Sequence, residues 1–413
     1  HNVEVSHCQV IGTIDESIGF ELLLPDDWNA KFVMGGHGGY GGTLQNQAQL
    51  QTANGSPLER GYATVATDTG HRGAMRDASW ALEDDEAVRN FIGRGVHRTT
   101  AVSKSIISMY YGAGAERSYF MGCSGGGFQA LLAVQRYPTD FDGVVAGAPA
   151  LKRVTGAAMR IQIAQAIFPD GNFDEPSITS ETLKLVANAV REKCDTLDGV
   201  EDGLVNNSQS CPFDPGELPR CESGESSGCL TDIQIAVLRK INQGAVIAGK
   251  PVAPGLPFTG QMDQPWWQAW ATKAPSGLLP PEMPSLMYNY GTQFARSFVF
   301  HDSNWTMTGY DFSDWEEKSA DAVALFAVTD PDIDAFRENN GKLLMWHGWA
   351  DPGISPLGTI DFFDSVTMRD PAAGDYLRLY MQPGVLHCNG GTGPDYVDRL
   401  TVLERWVEHG STP

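Results

Sequence analysis

Positive charge is scarce in this chain. Its 413 residues include 29 Lys and Arg against 51 Asp and Glu, a formal net charge of −22. Phosphate binding needs clustered basic side chains, so nucleic acid and anionic membrane surfaces are poor partners. No run of 18 apolar residues is present, which argues against a membrane-spanning helix. The seven cysteines form no Cys-x-x-Cys pair of the kind that binds zinc. There is no internal repeat and no low-complexity tract. No signal peptide is visible either: the start, His1-Asn2-Val3-Glu4, is polar, as it would be in a processed secreted protein. The acidity reads as a soluble, self-repelling surface, with a saline or acidic habitat as the other reading.

What is there suggests one large α/β domain carrying an insertion. Hydrophobic residues make up 42% of the chain, enough for a sizeable core. Residues 1–150 alternate strand and helix patterns. Gln9–Ile11 and Phe20–Leu24 read as an antiparallel pair, and Lys31–Met34 as a buried strand running into a glycine-rich loop. Tyr62–Thr67 and Ser118–Met121 read as further strands, Ala87–Tyr111 and Gly125–Tyr137 as helices, and Gly143–Gly147 as the next buried strand. The alternation then dissolves over 151–325, where Pro, Gly, four cysteines and five of the ten tryptophans collect. Strand patterns return at Lys342–Trp346 and Tyr376–Met381, and an amphipathic helix over Asp398–His409 closes the chain. The economical organisation is a core of 1–150 and 326–413 interrupted by a lid.

Two cysteines sit in informative places. Cys123 precedes Ser124 in Gly122-Cys123-Ser124-Gly125-Gly126, a G-x-S-x-G turn that exposes a serine hydroxyl between strand and helix. Cys388 follows His387. If His387 is the base for Ser124, their side chains lie about 3 Å apart. The neighbouring cysteines then fall within the ~4.4–6.8 Å between Cα atoms that a disulfide spans. Cys194, Cys211, Cys221 and Cys229 lie close together in a loop-like stretch, with Cys194–Cys211 and Cys221–Cys229 the simplest pairing. Disulfides imply an oxidising compartment, secreted or periplasmic. Cys8 is left over. The sequons at Asn54, Asn206 and Asn304 matter only in a eukaryotic source.

A serine hydroxyl needs a base, and the base an orienting carboxylate. In α/β-hydrolases these follow in the order Ser, Asp/Glu, His, in loops after late strands. Asp351 follows the Lys342–Trp346 strand and His387 the Tyr376–Met381 strand, so both fit. The competing roles are a loop-capping Asp351 and a base at His347 or His37. The oxyanion formed on the ester carbonyl needs backbone N–H donors. Gly125 supplies one; the other comes from the Gly35–Gly42 loop, with Gly38 chosen and Gly39 close behind. No Gly-Lys-Ser/Thr follows, which argues against a phosphate-binding loop.

Asp195-Thr196-Leu197-Asp198-Gly199-Val200-Glu201-Asp202-Gly203-Leu204 spaces hard oxygen donors like a calcium loop but lacks EF-hand spacing, so a plain acidic turn stays open.

Taken together, the GCSGGGFQAL elbow, the DTLDGVEDG loop, LLMWHGWADPGISP, PGVLHC and the closing WVEHG resemble the tannase/feruloyl esterase family over essentially the whole chain. The resemblance implies an α/β-hydrolase core with a large lid, esterase activity on hydroxylated aromatic acid esters, and a triad Ser124, Asp351, His387 bridged by Cys123–Cys388. It implies a structural Ca2+ held by the side chains of Asp195, Asp198 and Asp202 and the carbonyls of Val200 and Leu204, with no organic cofactor. The expected partner of Cys8 is missing.

An aromatic acid needs a flat apolar slot with a few polar groups. The lid offers Trp266, Trp267, Trp270, Phe294, Phe298 and Trp305. The stretch 294–302, with Arg296 and Phe298, resembles the feruloyl esterase branch, so a small aromatic ester or a feruloylated saccharide is the expected partner. A terephthalate monoester would call for a placed cation such as Arg296 or Arg160, and galloyl esters for more acceptors. A binding protein without catalysis on the same fold is the remote alternative.

Overall fold

The computed structural model describes residues 5–44, 54–223, 225 and 227–413; the polar start at His1–Glu4 lies outside them. Eight strands form the main sheet: β1 (His7–Ile14), β2 (Ile18–Pro25), β3 (Lys31–Gly35), β4 (Ala63–Thr67), β5 (Arg117–Cys123), β6 (Gly143–Gly147), β9 (Lys342–Gly348) and β10 (Leu377–Gln382), in the spatial order β1-β2-β4-β3-β5-β6-β9-β10. The first two join antiparallel, and from β4 to β10 every neighbouring pair is parallel. A separate hairpin of β7 (Ala245–Ile247) and β8 (Lys250–Ala253) lies in the segment between β6 and β9.

Successive residues of the central strands face opposite sides, as strand geometry requires. Phe32, Met34, Phe120, Val144, Leu343 and Met345 join the large core on one face. Val33, Tyr119, Val145, Leu344 and Trp346 face the other way, onto Leu400, Leu403 and Trp406 of the last helix. Being covered on both faces is why β6 and β9 read as unbroken apolar runs rather than alternating ones.

The helices that matter below are α1 (Gly95–Tyr111), α2 (Gly125–Arg136), α3 (Arg153–Ile167), α4 (Ser180–Cys194), α5 (Asp232–Gln243), α6 (Pro265–Ala271), α7 (Leu286–Phe294), α8 (Pro356–Arg369) and α9 (Arg399–His409). The single helix expected over Ala87–Tyr111 is broken. A short helix at Asp85–Arg89 passes into a wide turn at Asn90–Arg94, where Gly93 takes φ 129°, before α1 begins. The backbone leaves the helical region at Ile92 (φ −83°, ψ 23°) and Gly93 (φ 129°, ψ −30°), the latter a conformation open to glycine. Beside the turn Asn90 is fully buried, donates from Nδ2 to Ser17 Oγ (3.1 Å) and accepts from Arg94 Nη1 (3.0 Å).

The expectation of an insertion after the sixth strand meets a chain that leaves the sheet at β6 and returns at β9. In between, α3 packs closely on α7; a Cβ on Gly291 would sit 3.0 Å from Ile161.

Candidate active site

Four loops meet at the carboxyl ends of the parallel strands, where ligands bind in open α/β sheets. The glycine-rich loop follows β3, Ser124 follows β5, Asp351 follows β9 and His387 follows β10. Ser124 is the residue between β5 and α2 and takes φ 63° and ψ −117°, a left-handed backbone that costs about 1–3 kcal/mol for a side-chain-bearing residue. The flanking glycines make this turn possible. A Cβ on Gly122 would lie 2.4 Å from the Gly126 carbonyl oxygen, and one on Gly36 2.7 Å from Gly126 Cα.

The turn presents Oγ of Ser124 to His387 Nε2 at 2.9 Å, and His387 Nδ1 lies 2.7 Å from Asp351 Oδ2. With imidazole neutral, the serine hydroxyl donates to Nε2 and Nδ1–H donates to the carboxylate. Asp351 is 1% exposed. Its Oδ1 accepts from the amides of Gly353 (2.8 Å) and Ile354 (2.9 Å). Burial pushes its carboxyl up, but the charge and hydrogen bonds of His387 and His347 outweigh this and hold it well below the usual carboxylate range.

The sequence leaves His347 as a rival base, and the geometry gives it another place. It is wholly buried at the end of β9. Its Nε2 lies 3.0 Å from Asp351 Oδ2, and its Nδ1 2.8 Å from Thr359 Oγ1 in α8. Asp351 thus accepts from two imidazoles. The sequence signal for this was the spacing His347-x-x-x-Asp351 at a strand end. The other rival, His37, is also buried, and its amide donates to Gln129 Oε1 (3.1 Å) behind the glycine loop.

Cys123 and Cys388 are disulfide-bonded with Cα atoms 5.9 Å apart, and Cys194–Cys211 and Cys221–Cys229 are the other two bridges. Cys8 is free and half-buried in β1. Three disulfides place the chain in an oxidising compartment. No helix of the described residues is long and apolar enough to cross a membrane.

The amides of Gly38, Gly39 and Gly125 have no acceptor within the protein among the described residues. Two spaces open beside them. A cleft of about 430 Å³ is lined by Gly38, Gly39, Ser124, Trp266, Trp270 and His387 among others. A narrower slot runs from Ser124, Gly39 and Gly125 past Tyr40, Trp270, Tyr290 and Phe294. Trp270 borders both and meets His387 edge-on at 4.9 Å. Of the expected aromatic wall, Trp266, Trp270 and Phe294 reach these spaces. Trp267 is buried in the core.

Arg296, Phe298 and Trp305 border neither space, a correction to the expectation that they contact substrate. Arg296 Nε donates to the Trp305 carbonyl (2.7 Å), Trp305 stacks on Phe300, and Phe298 sits in a ring cluster with Phe294 and Phe326. Each finds these partners within residues 294–326. Tyr40, Tyr290 and Arg153, none of them raised as slot residues from the sequence, line the slot, as does Arg160, which the sequence raised as a possible counter-charge.

In the acidic loop, Asp195 Oδ1 accepts from the amides of Asp202 (3.2 Å) and Gly203 (3.0 Å), Asp198 from Val200 (3.0 Å) and Asp202 from Leu204 (3.0 Å). Among the described residues no three His, Cys, Asp or Glu side chains converge as metal ligands. The donor set itself, carboxylates and carbonyls within ten residues, is the hard-oxygen kind that Ca2+ takes. The loop touches the active-site side of the fold: Gln261 Nε2 donates to the Gly203 carbonyl (3.3 Å) and to Thr392 Oγ1 (3.0 Å), four residues past Cys388.

This fold, with a hydroxyl–imidazole–carboxylate chain at its sheet end, defines a serine hydrolase of the α/β-hydrolase class. The chain matches the family described as "Tannase and feruloyl esterase" over residues 3–413 and belongs to it, which makes it a carboxylic ester hydrolase. It is 33% identical to a probable feruloyl esterase of Arthroderma benhamiae, over 100% of this chain and 76% of that protein. It is 30% identical to the mono(2-hydroxyethyl) terephthalate hydrolase of Piscinibacter sakaiensis, over 98% of this chain and 77% of that one. The crystal structure of feruloyl esterase B from Aspergillus oryzae superposes with a TM-score of 0.85 at 25% identity, covering 99% of this chain and 82% of that one.

Proposed function

We propose that the chain hydrolyses esters of hydroxylated aromatic acids, with feruloyl and other hydroxycinnamoyl esters foremost, through an acyl-enzyme on Ser124. The observation that carries this is the hydrogen-bonded series Ser124–His387–Asp351 opening onto a slot walled by Tyr40, Trp270, Tyr290 and Phe294. The feruloyl reading also draws on the feruloyl esterases among its relatives.

In this mechanism His387 Nε2 takes the Ser124 proton as Oγ bonds to the ester carbonyl carbon. The carbonyl electron pair moves onto oxygen, which the amide of Gly125 and that of Gly38 or Gly39 stabilise. As the tetrahedral intermediate collapses, the alcohol leaves with the proton from His387. Water, deprotonated by the same imidazole, then attacks the acyl carbon, and the free acid departs as Oγ regains its proton. Asp351 holds the imidazole tautomer and offsets its transient charge. The inserted segment 151–325 acts as the lid that shapes the slot. Asp195, Asp198 and Asp202, with the carbonyls of Val200 and Leu204, would hold a structural Ca2+, which would neutralise repelling carboxylates. Secretion or periplasmic export fits a chain with three disulfides.

The test is kcat/KM for methyl ferulate, methyl caffeate, methyl gallate, propyl gallate and mono(2-hydroxyethyl) terephthalate. The highest value on the hydroxycinnamates supports the reading. Dominance of gallates would make it a tannase. Failure to hydrolyse even p-nitrophenyl acetate would leave a binding protein.

A further inference from the structure

Oxyanion donors from two separate segments must be held side by side, and one buried side chain joins those segments. Over residues 36–42 the amides of Gly36, Tyr40, Gly41 and Gly42 donate to backbone carbonyls, those of Met121 (2.8 Å), Met75 (2.8 Å), Gly38 (3.1 Å) and Asp68 (3.2 Å). His37 differs: its amide donates to a side chain, Oε1 of Gln129 (3.1 Å). Within this loop that leaves the amides of Gly38 and Gly39 without an acceptor among the described residues.

The peptide planes choose between these two. A trans peptide points its N–H opposite to its C=O. The Gly38 carbonyl is turned into the loop, where it accepts from Nδ1–H of His37 (3.2 Å) and from the Gly41 amide (3.1 Å). The Gly39 N–H therefore points out of the loop. Gly39 N lies 3.1 Å from where a Cβ on Gly125 would stand, so the amides of Gly39 and Gly125 are neighbours. Gly39 also borders both spaces beside Ser124, whereas Gly38 borders only the wide cleft.

Gln129 stands four residues after Gly125 on α2, one turn along the same face. It is 1% exposed, and its Nε2 is buried with no partner among the described residues. An apolar side chain would fill that space without an unpaired donor, so packing alone does not call for an amide here. One helix thus carries both halves of the hole: its first residue gives one donor, and Gln129 grips the loop that gives the other. We propose that Gln129 and His37 are positioning residues that together aim the Gly39 N–H at the oxyanion, Gln129 through the His37 amide and His37 through the Gly38 carbonyl. This rests on the reading of Gly39 and Gly125 as the oxyanion hole of an acyl-enzyme on Ser124. Losing either hold should weaken the transition state and leave substrate binding nearly intact.

The test compares kcat/KM for methyl ferulate with that for its thionoester, in which sulfur replaces the carbonyl oxygen. Sulfur is larger and a weaker acceptor, so two well-aimed N–H donors favour the oxygen ester, and misaiming one costs that ester more. Gln129→Met keeps the side chain's length without its oxygen. It should lower kcat on methyl ferulate by about 10–100-fold with little change in KM, part of the ~100–1,000-fold that losing a whole donor costs. The oxygen-to-sulfur ratio should fall by about tenfold, and Gln129→Glu, which restores an acceptor oxygen, should recover part of both. A folding defect scales both esters alike and leaves the ratio unmoved. An unchanged kcat, or a lower kcat with an unmoved ratio, would overturn the proposal and leave Gln129 as packing. If the Gln129 variants do not fold, His37→Leu, which removes the N–H on the Gly38 carbonyl, must lower the ratio; an unmoved ratio would overturn the proposal. A wild-type ratio near one would overturn the oxyanion hole itself and this proposal with it. Loss of p-nitrophenyl acetate hydrolysis in Ser124→Ala tests the nucleophile separately, so the failures are distinguishable.

Discussion

His347 Nε2 and His387 Nδ1 address the same carboxylate oxygen, Asp351 Oδ2, at 3.0 and 2.7 Å. His347 does not line the cleft; it is held by Thr359 and contacts Asp351, and so is a positioning residue. His347→Phe should therefore lower kcat by about 10–100-fold with little change in KM, as expected when an orienting bond is lost. His347→Gln, which keeps an N–H, should recover part of the rate. No recovery in His347→Gln, or a loss carried by KM, would mean that the role is packing only.

The Cys123–Cys388 bridge binds the residue before the nucleophile to the residue after the base. Replacing both by alanine should depress kcat more than KM, because the slot is walled mainly by other segments. It should also cost roughly 2–4 kcal/mol of stability. Active-site titration of the folded double variant separates the effects: unchanged kcat per titrated site would reduce the bridge to a staple.

Chelation should lower Tm more than it lowers the rate at a temperature where the protein stays folded. The acidic loop reaches the His387 segment through Gln261 and Thr392 and through Leu204, which packs on Gly384, but lines neither space beside Ser124. An unchanged Tm in excess EGTA, with no metal by elemental analysis, would leave Asp195–Leu204 as an acidic turn.

Acid should destabilise the fold through two buried histidines, His37 in the glycine loop and His71 against it. Burial pushes His37 down to about 3 and His71 to about 4. Each has a buried ring nitrogen without a partner, and His71 stacks on Trp80 at 3.7 Å. The unfolded chain titrates these groups near ~6.5, so below that pH it binds more protons than the native state does. Their contribution is complete above about pH 6.5 and declines as pH falls towards the folded values, by on the order of 2 kcal/mol each at pH 5. Tm measured from pH 7 to 5 should fall, and His71→Gln should flatten the slope. An equal slope in the variant would contradict this.

The site was legible where chemistry is written into local order. A strained turn needs the Gly122–Gly126 pattern, and the order Ser124, Asp351, His387 follows from strands that each deliver one loop to the same sheet end. The two cysteines added a distance constraint that no single motif supplies. What could not be read depends on partners far away in sequence. The buried amide of Asn90, beside the helix break, needs Ser17, and the role of His347 needs Thr359 and Asp351 at once. The slot was misplaced for the same reason. Arg296 and Trp305 look exposed to substrate in sequence, yet they satisfy each other, while Arg153 faces the nucleophile only because α3 folds back from β6.

The most direct test of the account is a rapid acid quench with methyl ferulate followed by peptide mass spectrometry, alongside Ser124→Ala. The account predicts a feruloyl adduct on the peptide carrying Ser124, absent from the variant, and a kcat in the variant reduced by about a thousandfold or more. An adduct elsewhere, or a Ser124→Ala enzyme retaining a substantial fraction of wild-type turnover, would contradict it.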